Sequence, residues 1–308
     1  MKAVRIHRFG GPEVLELEET PPPEPAEGEV RIRVRAASVN PVDYKIRNGG
    51  YPSVKADQLP ITLGRDVSGA VDKAGPGVTG LGLGDEVYAM LPPERGGYAE
   101  FVAVAAAHCA RKPARLDHVQ AAAIPLAGLT AWQGLFDHGR LAAGQRVLIH
   151  GAAGGVGHFA VQFARARGAT VIATARAEDA DFLRDLGAAQ VIDYKAGPFE
   201  RDMAPVDLVY DLVNGETQDR SWQVLKDGGA MISTLRDPAP DKAAERHARA
   251  AHYMAHPDGG QLEEIRRLVE AGEVTPVVAR TYPLAAAADA ERELEHEHVR
   301  GKIVLQVG

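Results

Sequence analysis

Polar and apolar residues alternate through Glu29-Val30-Arg31-Ile32-Arg33-Val34-Arg35-Ala36, with Val30, Ile32 and Val34 on one face. That period of two predicts a half-buried strand. Pro21-Pro22-Pro23 and Pro25 precede it as a stiff, non-helical connector. Further strands are predicted at residues 69–73, 86–90 and 99–104, with Gly75-Pro76-Gly77 and the glycine-rich stretch 80–85 as turns between them. Several short strands separated by such turns predict a small barrel or sandwich.

The pattern changes near residue 118. Residues 119–124 and 128–137 carry a helical pattern interrupted by Pro125. Strand and helix patterns then alternate, with strands at 146–150, 170–174, 190–193, 208–211 and 229–233. Between the first strands lie helices at 158–167 and 179–186, ended by Gly168 and Gly187. Apolar, β-branched strands alternating with helices predict βαβ units and a parallel sheet covered on both faces. An amphipathic helix at 261–271 and an alternating strand at 302–307 follow, and the last strand is free to return to the first domain. The fold class is therefore α/β, a doubly wound parallel sheet joined to a β-rich barrel-like domain.

The sequence is 308 residues long, which suits two domains of ordinary size, each able to bury a core. Lys and Arg number 35 against 42 Asp and Glu, for a net charge of −7, and there is no basic stripe. That balance argues against a nucleic-acid partner. The single cysteine, Cys109, excludes a disulfide framework and any zinc site built mainly from thiolates. No apolar run has the length of a membrane span and no segment reads as a targeting signal, so the expected compartment is the cytoplasm.

The most informative stretch is Ile149-His150-Gly151-Ala152-Ala153-Gly154-Gly155-Val156-Gly157, which follows a strand and opens a helix. Against the pattern G-x-G-x-x-G, Ala152 takes the first glycine position and Gly154 and Gly157 the second and third. Glycines at Gly154 and Gly155 let the backbone approach a pyrophosphate, Gly157 lets the helix pack closely, and the helix N-terminus offers N–H groups. Gly151, Ala152, Gly154, Gly155 and Val156 are thus candidate dinucleotide contacts. The next strand ends in Thr174-Ala175-Arg176, where sites for NADH place an acid on the ribose. A guanidinium there suits a 2′-phosphate, so Thr174 and Arg176 point to NADPH. Glu178 and Asp179 stand close by, and the alternative is a solvated loop arginine.

Motifs spread along the whole chain resemble one family. They include Gly10-Gly11-Pro12-Glu13-Val14-Leu15, Ser38-Val39-Asn40-Pro41-Val42-Asp43, Gly64-Arg65-Asp66-Val67-Ser68-Gly69, Gly96-Gly97-Tyr98-Ala99-Glu100-Phe101, Leu126-Ala127-Gly128-Leu129-Thr130-Ala131 and Arg300-Gly301-Lys302-Ile303-Val304-Leu305. Together with the glycine-rich loop they resemble the medium-chain dehydrogenase/reductase superfamily, in its zinc-independent, zeta-crystallin-like NADPH:quinone oxidoreductase branch. The resemblance implies a GroES-like substrate domain of residues 1–118 plus 270–308 and a Rossmann NADP-binding domain of residues 119–269, with the active site in the cleft between them.

The zinc-dependent branch needs a cysteine where this chain has Asn40 and Gly-His-Glu where it has Gly64-Arg65-Asp66, so no metal is expected. His108 and Cys109 are adjacent, but two neighbouring residues are not a site. The histidines His247, His252, His256, His296 and His298 lie in polar, helical-looking sequence and read as surface residues. Donors must then meet the charge that hydride transfer leaves on a substrate oxygen. Asn40 is the first candidate through its amide, followed by Tyr44, Lys45 and Tyr51 on the same segment. The resemblance also implies Thr130 beside the nicotinamide and Tyr194 beside the adenosine phosphate. The chain departs from relatives that place an arginine a few residues before the carboxy-terminal Gly-Lys: residues 295–300 read Glu-His-Glu-His-Val-Arg, and Arg300 and Lys302 are the candidates to take its place at the cofactor phosphate. Asp43, Asp66 and Asp85 read as structural residues. The expected substrate is a quinone or an activated, conjugated carbonyl, and the alternatives are an enone or enoyl reductase with little quinone activity, or an NADPH-binding regulatory protein without turnover. A homodimer through an edge strand near Met231 to Thr234 is a further implication of the resemblance.

Overall fold

The computed structural model describes residues 1–201 and 203–308. The chain divides into two compact units, Met1–Leu129 with His256–Gly308, and Thr130–Ala255.

The first unit is built on β1 (Glu29–Val39), which is followed directly by helix α1 (Pro41–Arg47). Val30, Ile32 and Val34 are buried, while Arg33 and Arg35 on the other face are exposed. Alternation therefore read the strand and its face correctly. β1 pairs antiparallel with β2 (Asp66–Ala74), and β2 with β3 (Glu86–Met90). β4 (Phe101–Ala105) also pairs with β1, and β5 (Cys109–Arg111) with β3. A separate three-stranded sheet joins Lys2–Ile6, Glu16–Glu19 and Ile61–Thr62. Helix α2 (His118–Ala122) packs on β1 and β2 and puts Ala122 and Ala123 against Ala36.

Helix α3 (Pro125–Trp132) comes next. Pro125 does not interrupt it but opens it, because the first turn of a helix has no use for the missing N–H. A π-helical stretch, Gln133–His138, continues from it.

The second unit is a six-stranded parallel sheet. Its strands are β6 (Arg146–Ile149), β7 (Thr170–Ala175), β8 (Gln190–Asp193), β9 (Val206–Asp211), β10 (Leu225–Ser233) and β11 (Arg249–His252), in the order β8-β7-β6-β9-β10-β11. Val147, Leu148, Ile149, Leu208, Val209, Met231 and Ile232 are at most 1% exposed, as strands covered on both faces require. Helices α4 (Gly157–Ala166), α5 (Ala180–Leu186) and α6 (Glu216–Ser221) connect the strands. Gly187 ends α5 at φ +110°, a left-handed conformation that glycine adopts without a steric cost. The edge expected at Met231–Thr234 is not an edge, since β10 is covered by β11. Arg249-Ala250-Ala251-His252 has no β-branched or aromatic residue to announce a strand, and it places His252 on a strand and not on a helix.

The chain then returns to the first unit. Helix α7 (Gly259–Glu270) lies so close to β5 that a Cβ on Gly259 would stand 2.4 Å from the Cys109 carbonyl oxygen. The Tyr88 hydroxyl donates to the Leu262 carbonyl at 2.6 Å. The compact units divide at 129 and 256, beside the bounds of 118 and 270 that the resemblance implies for the two domains. β12 (Val278–Pro283), helix α8 (Ala287–His296) and β13 (Lys302–Gln306) complete the unit. β13 pairs antiparallel with β1, so the last strand does return, and it sets Ile303 opposite Val39.

Candidate active site

In the parallel-sheet unit the loop from His150 to Val156 joins β6 to α4. A Cβ on Gly157 would lie 2.3 Å from the Gly151 carbonyl oxygen and 2.6 Å from Ala152 Cα, so helix and loop touch as only glycine permits. Around Gly154 the only neighbour of such a Cβ among the described residues is the Gly151 oxygen at 3.4 Å, which leaves open space over the loop. Ala152 is fully buried, and Gly154, Gly155 and Val156 are half-buried at the start of α4. The first N–H groups of a helix have no partner within it, so this loop fits a pyrophosphate through backbone groups and the helix dipole.

Thr174 is placed differently from the sequence expectation. It is 4% exposed, and its hydroxyl lies 2.8 Å from His150 Nδ1. His150 Nε2 lies 2.8 Å from Ser221 Oγ, whose own proton goes to the Thr217 carbonyl at 2.6 Å. Ser221 must therefore accept from Nε2, and Nδ1 must accept from Thr174. Burial pushes the His150 imidazole down to about 4, which keeps it neutral in this chain of bonds. The Thr174 side chain thus ties β7 to the end of β6, and its hydroxyl proton is committed to His150.

Arg176 and Tyr194, found by separate arguments, come together. The Tyr194 phenol stands close enough to the Arg176 guanidinium to interact with its charge, and Glu178 approaches the guanidinium at 3.4 Å. They follow β7 and β8, at the carboxyl ends of the strands, where doubly wound sheets bind their ligands. Thr130 is 7% exposed. Its carbonyl accepts from the Tyr210 hydroxyl at 3.0 Å and from the Tyr253 hydroxyl, and the two phenols are 2.7 Å apart. Sequence reasoning gave no hint of this pair, because its members are 43 residues apart.

In the β-rich unit Asn40 is 1% exposed and caps α1 just before Pro41. Its amide nitrogen donates to Asp66 Oδ2 at 2.8 Å and to the Ser38 carbonyl at 3.3 Å, and its oxygen accepts from Lys302 Nζ. Both amide protons are committed, so Asn40 has no donor left for a substrate oxygen, contrary to the sequence expectation. Lys302 is likewise regrouped. It is 3% exposed, donates to the Val39 carbonyl at 3.0 Å as well as to Asn40, and stands 3.9 Å from Asp66. Burial lowers its pKa, and the charges of Asp66 and Asp43 oppose that. Asp66 also accepts from the Ser38 hydroxyl at 2.5 Å and the Leu126 N–H at 2.6 Å. Arg65 turns away, donating to the Leu91 carbonyl at 2.6 Å. An amide held at both ends, a guanidinium and a fully hydrogen-bonded carboxylate do not form a zinc-ligand set. Burial pushes the Cys109 thiol up to about 12, which makes it a poor ligand and an inert nucleophile.

The same segment presents the remaining donors. Tyr44, Lys45 and Tyr51 are all half-buried, so each keeps a solvent-facing portion. Burial, then the nearby Glu295 charge, raises the Tyr44 phenol and keeps it protonated. A buried ionic cluster holds the helix that carries Tyr44 and Lys45. Arg47, 1% exposed, donates at 2.8 Å to Glu291 and at 2.8 Å to Glu295, both on α8. Asp43 accepts the Asn40 N–H at 2.7 Å and the Tyr98 hydroxyl at 3.1 Å. Burial pushes Asp43 up to about 7 and Glu291 up to about 8. Asp85 is the turn residue that sequence reasoning made it, accepting the Gly82 N–H at 2.8 Å and pairing with Arg111 at 2.9 Å.

Comparison with known proteins agrees with this architecture. Residues 26–114 match the alcohol dehydrogenase GroES-like domain, and residues 186–305 match the zinc-binding dehydrogenase domain. An NADPH-dependent alkenal/one oxidoreductase of Arabidopsis thaliana is 36% identical over 317 residues, covering 99% of this chain and 79% of its own. The solved quinone oxidoreductase of Coxiella burnetii superposes with a TM-score of 0.92 at 38% identity, covering 100% of this chain and 99% of its own. That of Escherichia coli, solved with NADPH, gives 0.89 at 30% identity, covering 99% and 100%. Among the described residues no helix is long and apolar enough to cross a membrane. The chain is an oxidoreductase of the medium-chain dehydrogenase/reductase superfamily and belongs to its quinone oxidoreductase branch.

Proposed function

We propose that this protein uses NADPH, without zinc, to reduce a quinone or an activated conjugated carbonyl. The observation that carries the reading is the glycine-rich loop with the Arg176–Tyr194 pair at the next strand ends. Backbone N–H groups at the start of α4 hold the pyrophosphate. Arg176 supplies fork-shaped, charge-assisted donors to a 2′-phosphate, and Tyr194 orients it. When bound, NADPH supplies a hydride from its nicotinamide. Absence of zinc rests on the chemistry of Asn40, Arg65 and Asp66, which are hydrogen-bonded donors and acceptors and not metal ligands.

In place of a Lewis acid, the protein offers O–H and N–H donors to the substrate oxygen as it becomes negative. Tyr44, Lys45 and Tyr51 have that role, because they are partly exposed and Asn40 is saturated. Asn40, Asp66 and Lys302 act on them through the start of α1, as positioning residues. A homodimer through the edge strand β11 is part of the same reading. An enone reductase with little quinone activity is the second reading, favoured by the name of the Arabidopsis relative.

The test is oxidation of NADPH and NADH against a panel of quinones, conjugated enones and saturated aldehydes. Turnover with NADPH and a quinone or enone is expected. A quinone rate far below the enone rate selects the second reading. Preference for NADH, or turnover of saturated aldehydes alone, overturns both.

A further inference from the structure

Asn214 carries two local costs at one residue. Its φ is +74°, in the left-handed region. Its Oδ1 is buried and has no hydrogen-bond partner among the described residues. The turn that holds it is not slack. Asp211, fully buried at the end of β9, accepts the N–H of Val213 at 3.0 Å and of Asn214 at 2.9 Å on one oxygen. On the other oxygen it accepts Gln218 Nε2 at 3.0 Å and Ser233 Oγ at 3.0 Å. Four hydrogen bonds to one buried carboxylate therefore impose the strained conformation, the circumstance in which strain persists at functional sites.

The position of the turn says what the oxygen is for. β9 lies beside β6 in the sheet, with Tyr210 paired to Ile149, so the turn after β9 stands next to the glycine-rich loop. A Cβ on Gly151 would lie 3.2 Å from Val213 Cγ2 and 3.5 Å from Leu212 Cβ, so the two loops are in contact. A carbonyl oxygen there needs a donor, and the donors a dinucleotide offers beside its pyrophosphate are its ribose hydroxyls.

We infer that Asn214 Oδ1 accepts a hydrogen bond from a ribose hydroxyl of the bound dinucleotide. The inference rests on the proposed use of NADPH. Asn214→Gly separates binding from folding, because glycine relieves the left-handed strain while removing the acceptor. Free of cofactor, the variant is expected to melt higher than the parent. Its Kd for NADPH, measured by calorimetric titration well below Tm, is expected to rise by about 5–10-fold, as loss of one buried hydrogen bond implies. A titration with 2′,5′-ADP places the hydroxyl: the same loss assigns the adenosine ribose, and a loss seen only with NADPH assigns the nicotinamide ribose. An unchanged Kd for NADPH, whatever the change in Tm, overturns the inference and leaves the use of NADPH standing. A parent chain that binds no NADPH overturns both.

Discussion

The two units build their candidate sites from different materials. In the parallel sheet, the proposed phosphate cradle is backbone: glycines, a helix start and a turn, all within residues 149 to 157. In the β-rich unit, the segment carrying Tyr44, Lys45 and Tyr51 is held by buried side chains from distant sequence, Lys302 on Asn40 across 262 residues and Arg47 on Glu291 across 244. A backbone cradle has few side chains to lose and tolerates change except where a Cβ would collide. A buried ionic cluster is the opposite case, because removing one member leaves another charged and desolvated.

That contrast is sharpest at Arg47. Arg47→Met should cost about 3 kcal/mol in denaturant unfolding, since buried Glu291 loses its hydrogen-bond donor and Glu295 loses its counter-charge. A loss under about 1 kcal/mol, the range of exposed ion pairs, would place the cluster in effective contact with water.

The cluster also sets a pH dependence. Asp43 at about 7 and Glu291 at about 8 both lie above their ordinary values of 3.8 and 4.5, so the folded state holds protons that the unfolded chain releases. Stability is then fully present below about pH 4 and is lost as pH rises towards 8. The groups facing these carboxyls are Asn40, Asp66, Arg65, Lys302 and the Tyr98 hydroxyl for Asp43, and Asp43, Arg47 and Glu295 for Glu291. Melting temperatures between pH 5 and pH 8.5 for the parent and for Asp43→Asn check the sign. The variant should show the flatter profile, and a parent that gains stability with pH contradicts the assignment.

Lys302 separates the two readings of one residue. If it fixes Asn40, Lys302→Met costs about 2–3 kcal/mol in stability and leaves the Kd for NADPH unchanged. If it meets the cofactor phosphate, as resemblance alone implies, the order reverses and Kd suffers.

How legible these features were follows from how each is made. The glycine-rich loop, the helix stop at Gly187 and the buried face of β1 are local patterns, and each reads directly from period or spacing. Asn40 stands out in the sequence by its position, but a sequence does not show that Asp66, Ser38 and Lys302 already occupy its amide. Arg47 and Glu291 carry no local signal, since a charged residue in a helix ordinarily reads as a solvated face, whereas Asp43 reads as a structural residue without showing what it faces. Asn214 did have one: Asn-Gly marks a turn with positive φ, although nothing in it marks the buried oxygen.

The smallest expected effect is on the exposed pair. Arg176→Ala should leave stability within about 0.5 kcal/mol, since the residue lies at the surface. Its Kd for NADPH should rise by about 10–30-fold with little change for NADH, as loss of a charge-assisted contact implies. An equal loss for both cofactors would move Arg176 from the 2′-phosphate to a shared part of the dinucleotide.

The central claim is that hydride transfer here needs no metal, and one measurement meets it directly. kcat/KM with NADPH and a conjugated acceptor is determined before and after exhaustive dialysis against a strong zinc chelator, with the metal content of the same samples. The account predicts an unchanged value in metal-free protein. Activity lost on dialysis and restored by zinc would contradict it.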